Sequence, residues 1–299
     1  MTFVQRLAAA AERIEQHLRK VLAEYGPHEG SRLNAAMEYA LLGGGKRFRP
    51  FLVLESAALF DVPAERALDT AAAFECVHCY SLAHDDLPCM DDDDLRRGRP
   101  TVHRAFDEWT AILAGDALLT LAFEIIAKAN THANPVVRAE LAHVLARAAG
   151  GRGMVLGQML DLEAEKRGEP AHPSADHVRR LQALKTGALI AASCEAGAVL
   201  AQASHAERAA LRAYGERLGL AFQIADDLLD AEGDAETMGK AAGKDSAAGK
   251  ATLIELIGLD AARAQLSEAV RGAEAELAPF GARANPLIDA ARFAANREH

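Results

Sequence analysis

The sequence predicts an all-α protein. Half of its 299 residues are hydrophobic but only 5% are aromatic, and alanine dominates. That composition favours helices over sandwiches or barrels built from β-branched and aromatic strands. Helical periodicity runs nearly end to end, and no segment shows sustained period-two alternation. Glycine and proline break the pattern at 26–30, 43–45, 61–63, 88–100, 134–135, 168–173, 233–249 and 279–286.

Taken in order, residues 1–20 carry Arg6, Glu12, Arg13, Glu15 and Arg19. With no unbroken apolar stretch and no cleavage site, they read as an amphipathic helix rather than a signal segment. Ala71 to Ala83 is apolar and helical, and Pro88 forces that helix to end or distort just past Asp85-Asp86. The apolar stretch Ala188 to Ala203 is interrupted by Glu195 and rich in Ala and Ser, too weak for a membrane span. A soluble chain without stable membrane insertion is expected. The clearest helix runs from about His205 to Asp230, where Leu211, Tyr214, Leu218, Phe222, Ala225 and Leu229 form a core stripe beside Gln223, Asp226, Asp227 and Asp230. No low-complexity linker or abrupt composition change divides the chain, so one domain over residues 1–299 is expected.

The net charge is −10, from 33 Lys and Arg against 43 Asp and Glu. With no long basic stripe to offset it, this balance argues against nucleic-acid binding. The surplus is focused, since Asp85, Asp86, Asp91 to Asp94, Asp226, Asp227, Asp230 and Asp234 lie in two short stretches. Four cysteines make no disulfide framework, and a cytoplasmic location is the expectation.

The first acidic cluster runs from His84 through Asp94 to Arg96, Arg97, Gly98 and Arg99. A bare aspartate run is usually a solvated loop. Here it follows an apolar helix and faces basic residues a few positions on. Carboxylates at that density repel one another unless cations neutralise them, and hard oxygen donors suit Mg²⁺. In the second cluster Asp226 and Asp230 stand at i and i+4 on one helix face. Two carboxylate groups imply divalent metal with a multiply charged anion between them, because carboxylates cannot bind diphosphate directly. A third segment, Gly43-Gly44-Gly45-Lys46-Arg47-Phe48-Arg49-Pro50, lacks the Walker spacing. By itself it reads as a surface turn, and with Arg96, Arg97, Lys185, Lys240 and Lys250 as one of several phosphate clamps.

Together these segments resemble the trans-isoprenyl diphosphate synthases, most closely the bacterial farnesyl diphosphate synthases. The resemblance rests on Gly43 to Pro50, the run Glu75 to His103, Leu184-Lys185-Thr186-Gly187, Phe222 to Asp230, and the lysines of Thr237-Met238-Gly239-Lys240 and Ala248-Gly249-Lys250. It implies an isoprenoid synthase-type helical bundle around a central cavity, usually a homodimer, and a Mg²⁺-dependent head-to-tail condensation. By similarity Asp85, Asp86 and Asp91, with Asp226 and Asp230, hold several Mg²⁺ ions on an allylic diphosphate. Arg96, Lys185, Thr186, Gln223, Lys240 and Lys250 match positions that bind that substrate, and Lys46, Arg49, His78 and Arg97 match those that hold isopentenyl diphosphate. Asp85, Asp86, Asp91, Arg96, Lys185, Asp226 and Lys240 are the expected catalytic group. Thr252-Leu253-Ile254 departs from the aromatic-proline pair that many relatives carry after the lysine.

Metal ions and cationic side chains would stabilise charge on the departing diphosphate, which agrees with the lack of a Ser-His or Cys-His nucleophile arrangement. Product length is expected to depend on Tyr80 and Ser81, one turn before the first Asp pair. Ser81 lies beneath Asp85 on an ideal helix, while the bulk of Tyr80 resembles farnesyl-producing relatives. A C15 product is expected, with C20 as the alternative and a non-catalytic partner subunit of a synthase heteromer as the reading from another class. Cys76-Val77-His78-Cys79, with Cys89 nearby, reads as buried thiols rather than zinc ligands, since turn chemistry is missing. His84-Asp85 as a phosphohydrolase fragment leaves the second Asp motif unexplained. His103, Trp109 and Arg297 receive no role.

Overall fold

The computed structural model describes residues 2–28, 30–236 and 252–296, with the backbone alone described at 232–236. The protein is all-α, as its periodicity predicts. Its residues group into two compact units, Met1–His143 with Val199–Gln202, and Val144–Ala198 with Ala203–His299.

The first unit contains α1 (Phe3–Tyr25), α2 (Arg32–Leu41), α3 (Phe48–Ala58), α4 (Ala64–Asp85), the short α5 (Val102–Ala105) and α6 (Glu108–Ala127). Thr2 starts α1 through a reciprocal capping box with Gln5, which satisfies two of the amides that a helix start leaves open. α4 packs against α3 and α6, and its buried face is mostly small: Ala67, Ala71, Ala72 and Ala73 surround Phe74. Alanine on this face lets neighbouring helices approach closely, while Phe51, Phe74, Leu52 and Leu118 fill the remaining core. His17 Nε2 lies 2.7 Å from Asp69 Oδ1, tying α1 to α4. Between α4 and α5 a two-strand ribbon pairs β1 (Leu95–Arg96) with β2 (Arg99–Pro100). Its two-residue turn, Arg97-Gly98, takes φ of 54° and 73°, the left-handed backbone that matches strand twist in tight hairpins. No sequence alternation announces so short a ribbon.

The second unit holds most of α8 to α14. α7 (Pro135–Ala149) enters it, followed by α8 (Met154–Arg167), α9 (Ala175–Gln182), a π turn (Ala183–Gly187), α10 (Ala188–Leu200) and α11 (His205–Glu236). Then come α12 (Leu253–Ile257), α13 (Leu259–Glu276), a 3-10 turn (Ala278–Ala284) and α14 (Asn285–Ala295). Thr252 and Glu255 form a capping box that starts α12, a physical use for the local departure noted at Thr252. Glycines set the spacing of this unit. A Cβ on Gly219 would fall 2.7 Å from Gly187 Cα, and one on Gly215 would fall 2.5 Å from Ala191 Cα. α11 therefore meets the π turn and α10 backbone to backbone. Tyr214, fully buried, donates to the Leu287 carbonyl at 2.6 Å and ties α11 to α14.

Two details differ from expectation. α11 runs through Gly233 to Glu236, since a helix tolerates an isolated glycine. Its core stripe also shifts. Ile224 and Leu228 are buried with Val178, Leu253 and Ala262, while Phe222 and Leu229 are only half-buried. α12 and α13 cover a face next to the one the spacing picked out.

Among the described residues, two helical segments, Glu108–Ala127 and Ala175–Leu200, are long and apolar enough to cross a membrane, so the second exceeds what Ala188 to Ala203 alone suggested. In the protein 50% and 67% of their apolar windows are buried, as for core helices.

Candidate active site

In the first unit, the site begins where α4 ends. The Asp86 amide still bonds the Leu82 carbonyl at 3.1 Å, and Pro88 then removes the donor needed to continue. The chain folds back on the helix end, with Asp91 N bonding the Asp85 carbonyl at 2.8 Å and Asp93 N bonding that of Asp86 at 3.2 Å. A turn, rather than helical spacing, brings half-buried Asp91 to half-buried Asp85.

Asp86 points elsewhere. Its carboxylate is buried and accepts from Arg96 Nε at 2.7 and 3.0 Å, with Arg96 Nη2 at 2.5 Å from Oδ1. Burial pushes the Asp86 carboxyl above its usual range, and Arg96 opposes that shift. Burial also works against the Arg96 charge, but Asp86, Asp93 and Asp85 outweigh it and hold the guanidinium above its ordinary value. The pair pins the ribbon to the end of α4. From the ribbon, Arg97 donates to the Gly44 carbonyl, and Arg99 lies over the Tyr39 ring at 4.3 Å. Arg104 pairs with Asp94. A shallow cleft is lined by Cys79, Ala83, Asp86, Arg96, Arg97 and Thr101.

The glycine-basic loop supplies a second group. Gly44 and Gly45 take φ of 82° and 112°, and Arg47 takes 48° just before α3 begins. Arg47 turns inward, where Nη1 lies 2.6 Å from Glu75 Oε1 and Nη2 donates to the Leu41 carbonyl at 2.8 Å. This buried pair, missed by the sequence reading, separates exposed Lys46 from half-buried Arg49. Arg49 Nε is buried with no hydrogen-bond partner. Burial also lowers the Arg49 pKa, and Glu75 and Cys79 oppose the shift. Half-buried His78 is pushed well below its usual pKa, first by desolvation and then by Arg49, Arg97, Arg96 and Arg47. Arg49 and Arg97 thus act on one another and on His78 at close electrostatic range.

Tyr80 is buried, and its ring meets that of His84 edge to face at 5.7 Å. Burial, and then the Asp85 charge, raises its phenol pKa. Ser81 is half-buried and donates to the His78 carbonyl at 2.9 Å. Cys76 and Cys79 are buried thiols as expected, whereas Cys89 is exposed because it sits past Pro88 on the outer side of the turn. His103 is buried, with Nδ1 3.1 Å from Thr101 Oγ1, and Trp109 is exposed under the Arg32 guanidinium at 5.5 Å.

In the second unit, Lys185 and Thr186 occupy the π turn, a widened helical turn of a kind that often marks functional sites. Lys185 Nζ lies 2.6 Å from Asp161 Oδ2, and Gln182 donates to Asp227 Oδ2 at 2.9 Å. Neither Asp161 nor Gln182 was singled out from sequence; Gly157 and Asp161 at i and i+4 on α8 were the available signal. Gln223 and Asp226 are half-buried, and Asp230 is exposed. Lys240, Lys250 and Arg297 lie outside the described residues. Among the described residues, no three His, Cys, Asp or Glu side chains gather closely enough to hold a metal ion by themselves.

The polyprenyl synthetase family model matches residues 31–278. The chain is 44% identical to the farnesyl diphosphate synthase of Escherichia coli over 93% of its length and 92% of that protein's. It is 39% identical to geranylgeranyl pyrophosphate synthase 4 of Arabidopsis thaliana, over 99% of this chain and 78% of the other. Among solved structures, an FPP/GFPP synthase from Zymomonas mobilis superposes with a TM-score of 0.86 and 46% identity, covering 97% of this chain and 99% of that one.

The lowered His78 pKa has a defined sign. The unfolded chain takes up a proton near pH 6.5 while the folded imidazole stays neutral, so this contribution to stability is present above that pH and is lost as pH falls through it. Denaturant unfolding from pH 7.5 to 5.5 should show a loss for the wild type that approaches about 1.4 kcal/mol per pH unit from this group. His78→Gln should remove that component of the slope, and identical slopes would contradict it.

Proposed function

Because the chain belongs to the polyprenyl synthetase family, we propose that it condenses isopentenyl diphosphate with dimethylallyl and geranyl diphosphate to (2E,6E)-farnesyl diphosphate, releasing diphosphate. The observation that carries this reading is the pairing, within one unit, of a carboxylate turn at Asp85 and Asp91 with the anion-receiving group at Arg49, His78 and Arg97. Two diphosphate substrates require both. The family match crosses both compact units, which supports one synthase domain over residues 1–299.

The carboxylates fit Mg²⁺, which takes one or two protein oxygens and fills its remaining positions with water and phosphate. Asp85 and Asp91, with Asp226 and Asp230, are the residues assigned to hold it, and Asp86 joins them in this reading only on release from its pair with Arg96. When bound, Mg²⁺ supplies the charge neutralisation that lets carboxylates and diphosphate share a site. The protein's own part is electrostatic. Arg96, Lys185 and Thr186, with Gln223, Lys240 and Lys250, bind the allylic diphosphate and stabilise the charge it gains as the carbon-oxygen bond ionises. Lys46, Arg49, His78 and Arg97 hold isopentenyl diphosphate so that its double bond attacks the cation, and the released diphosphate takes the proton. His78, kept neutral at pH 7, donates a hydrogen bond without adding charge.

Buried Tyr80, about one turn before Asp85 and to one side of it, is the floor of the prenyl channel in this reading. Each five-carbon unit beyond it would gain about 4 kcal/mol of apolar burial if space existed, so one ring suffices to stop growth. C20 synthesis is the second reading, favoured by the similarity to a geranylgeranyl pyrophosphate synthase. Incubation of the purified chain with isopentenyl diphosphate, either allylic starter and Mg²⁺ should yield a C15 alcohol after dephosphorylation. Tyr80→Ala should shift products to C20 or longer, and Asp85→Asn should lower turnover at least 100-fold. A C20 product from the wild type would remove the role of Tyr80. No condensation in a folded protein would favour a partner-dependent subunit.

A homodimer is proposed from α6, where Trp109, Ile112 and Leu113 are 60%, 42% and 50% exposed along one helix face. A cytoplasmic location is proposed as well, and the free thiols of Cys76, Cys79, Cys89 and Cys194 support it. Sedimentation velocity should give a dimer that Ile112→Glu with Leu113→Glu converts to monomer; a monomeric wild type would refute it.

A further inference from the structure

We propose that Asp161 is a positioning residue that sets the ammonium of Lys185 for the departing diphosphate, a role that rests on the function proposed above. α8 holds Lys185 at both ends. A Cβ on Gly157 would lie 2.5 Å from Lys185 Cα and 2.7 Å from the Leu184 carbonyl carbon, so the helix touches the lysine's main chain there. One turn later on the same face, buried Asp161 places Oδ2 2.6 Å from Lys185 Nζ. Gly157 and Asp161 stand at i and i+4, the spacing that stacks two positions on one helix side. The flexible stem between Cα and Nζ is thereby spanned by a fixed length of helix.

This geometry matters because a lysine is a mobile point charge with three donors. The Asp161 carboxylate, 2.6 Å from Nζ, limits how far the ammonium wanders before the substrate arrives. Preorganised charge is worth more to a transition state than charge that must reorganise. The π turn is consistent with this restraint. Gly157 crowds it from α8, Gly219 crowds it from α11, and Gln182, just before it, is braced on Asp227.

The test compares wild type, Asp161→Asn, Asp161→Glu, Lys185→Ala and the double variant Asp161→Asn/Lys185→Ala. Acylation of Lys185 by a water-soluble succinimidyl ester, followed by peptide mass spectrometry, reads the ion pair without turnover. It should be at least threefold faster in Asp161→Asn, with exposed Lys166 unchanged as the internal reference. In steady state Asp161→Asn should raise KM for the allylic substrate about tenfold and leave KM for isopentenyl diphosphate within twofold. In the Lys185→Ala background the same substitution should add less than twofold, and Asp161→Glu should restore most of the loss. Unchanged Lys185 acylation, or an equal penalty in both backgrounds, would overturn the proposal. If Asp161→Asn does not fold, Asp161→Ser, which also removes the carboxylate, takes its place, and an unchanged allylic KM there counts against the role. A wild type that condenses nothing yet keeps the acylation difference removes the proposed reaction while supporting the hold of Asp161 on Lys185.

Discussion

Neutralisation of crowded carboxylates is the constraint on which the first unit depends. Asp85, Asp86 and Asp91 to Asp94 occupy one turn, and like charges at that density would drive the turn apart. The protein answers with a ribbon whose arginines come back to the same place. Arg96 meets Asp86, Arg104 meets Asp94, and Arg97 closes onto the glycine loop through the Gly44 carbonyl. Removing Arg96 would therefore leave a buried carboxylate alone and also release the ribbon that carries Arg97. A buried ion pair is a poor source of net stability, and the value of this one lies in position: it fixes which carboxylates are already matched. Asp85 and Asp91 are brought together by a backbone hydrogen bond beside that pair.

The second unit obeys a different constraint, close approach of main chains. Glycines on α8 and α11 press on residues 183 to 191 from two directions, and alanine fills much of the rest. This explains why a protein with so few aromatic residues still packs. Its core gains contact from backbone proximity rather than from large rings. It also fixes the main chain of Lys185 and Thr186 by helices, which hold geometry more firmly than a loop would.

Much of this was legible beforehand, for physical reasons that differ by residue. Helices declare themselves through repeated spacing, so α1, α4 and α11 could be placed closely. Pro88 marked the end of α4 because its missing donor acts locally. The Asp85-to-Asp91 approach, in contrast, depends on a turn that no periodicity encodes, and the ribbon at 95–100 is too short to alternate. The pairs of Asp161 with Lys185 and of Arg47 with Glu75 escaped notice because the partners are distant in sequence, so only the fold brings them together. The face shift at Ile224 and Leu228 has the same origin, since α12 and α13 decide which side of α11 is covered. Lys46, Arg49, His78 and Arg97 were named by resemblance, and the structure adds the shared field around His78.

In the proposed function these carboxylates take up metal together with a diphosphate rather than as a finished metal site, since among the described residues no three such ligands converge. Calorimetric titration of Mg²⁺ into the protein, with and without methylenediphosphonate, tests this most directly. The division of charge described above predicts weak uptake alone, at least tenfold tighter uptake with the diphosphonate, and loss of that coupling in Asp85→Asn. Tight Mg²⁺ binding that ignores the diphosphonate would contradict it.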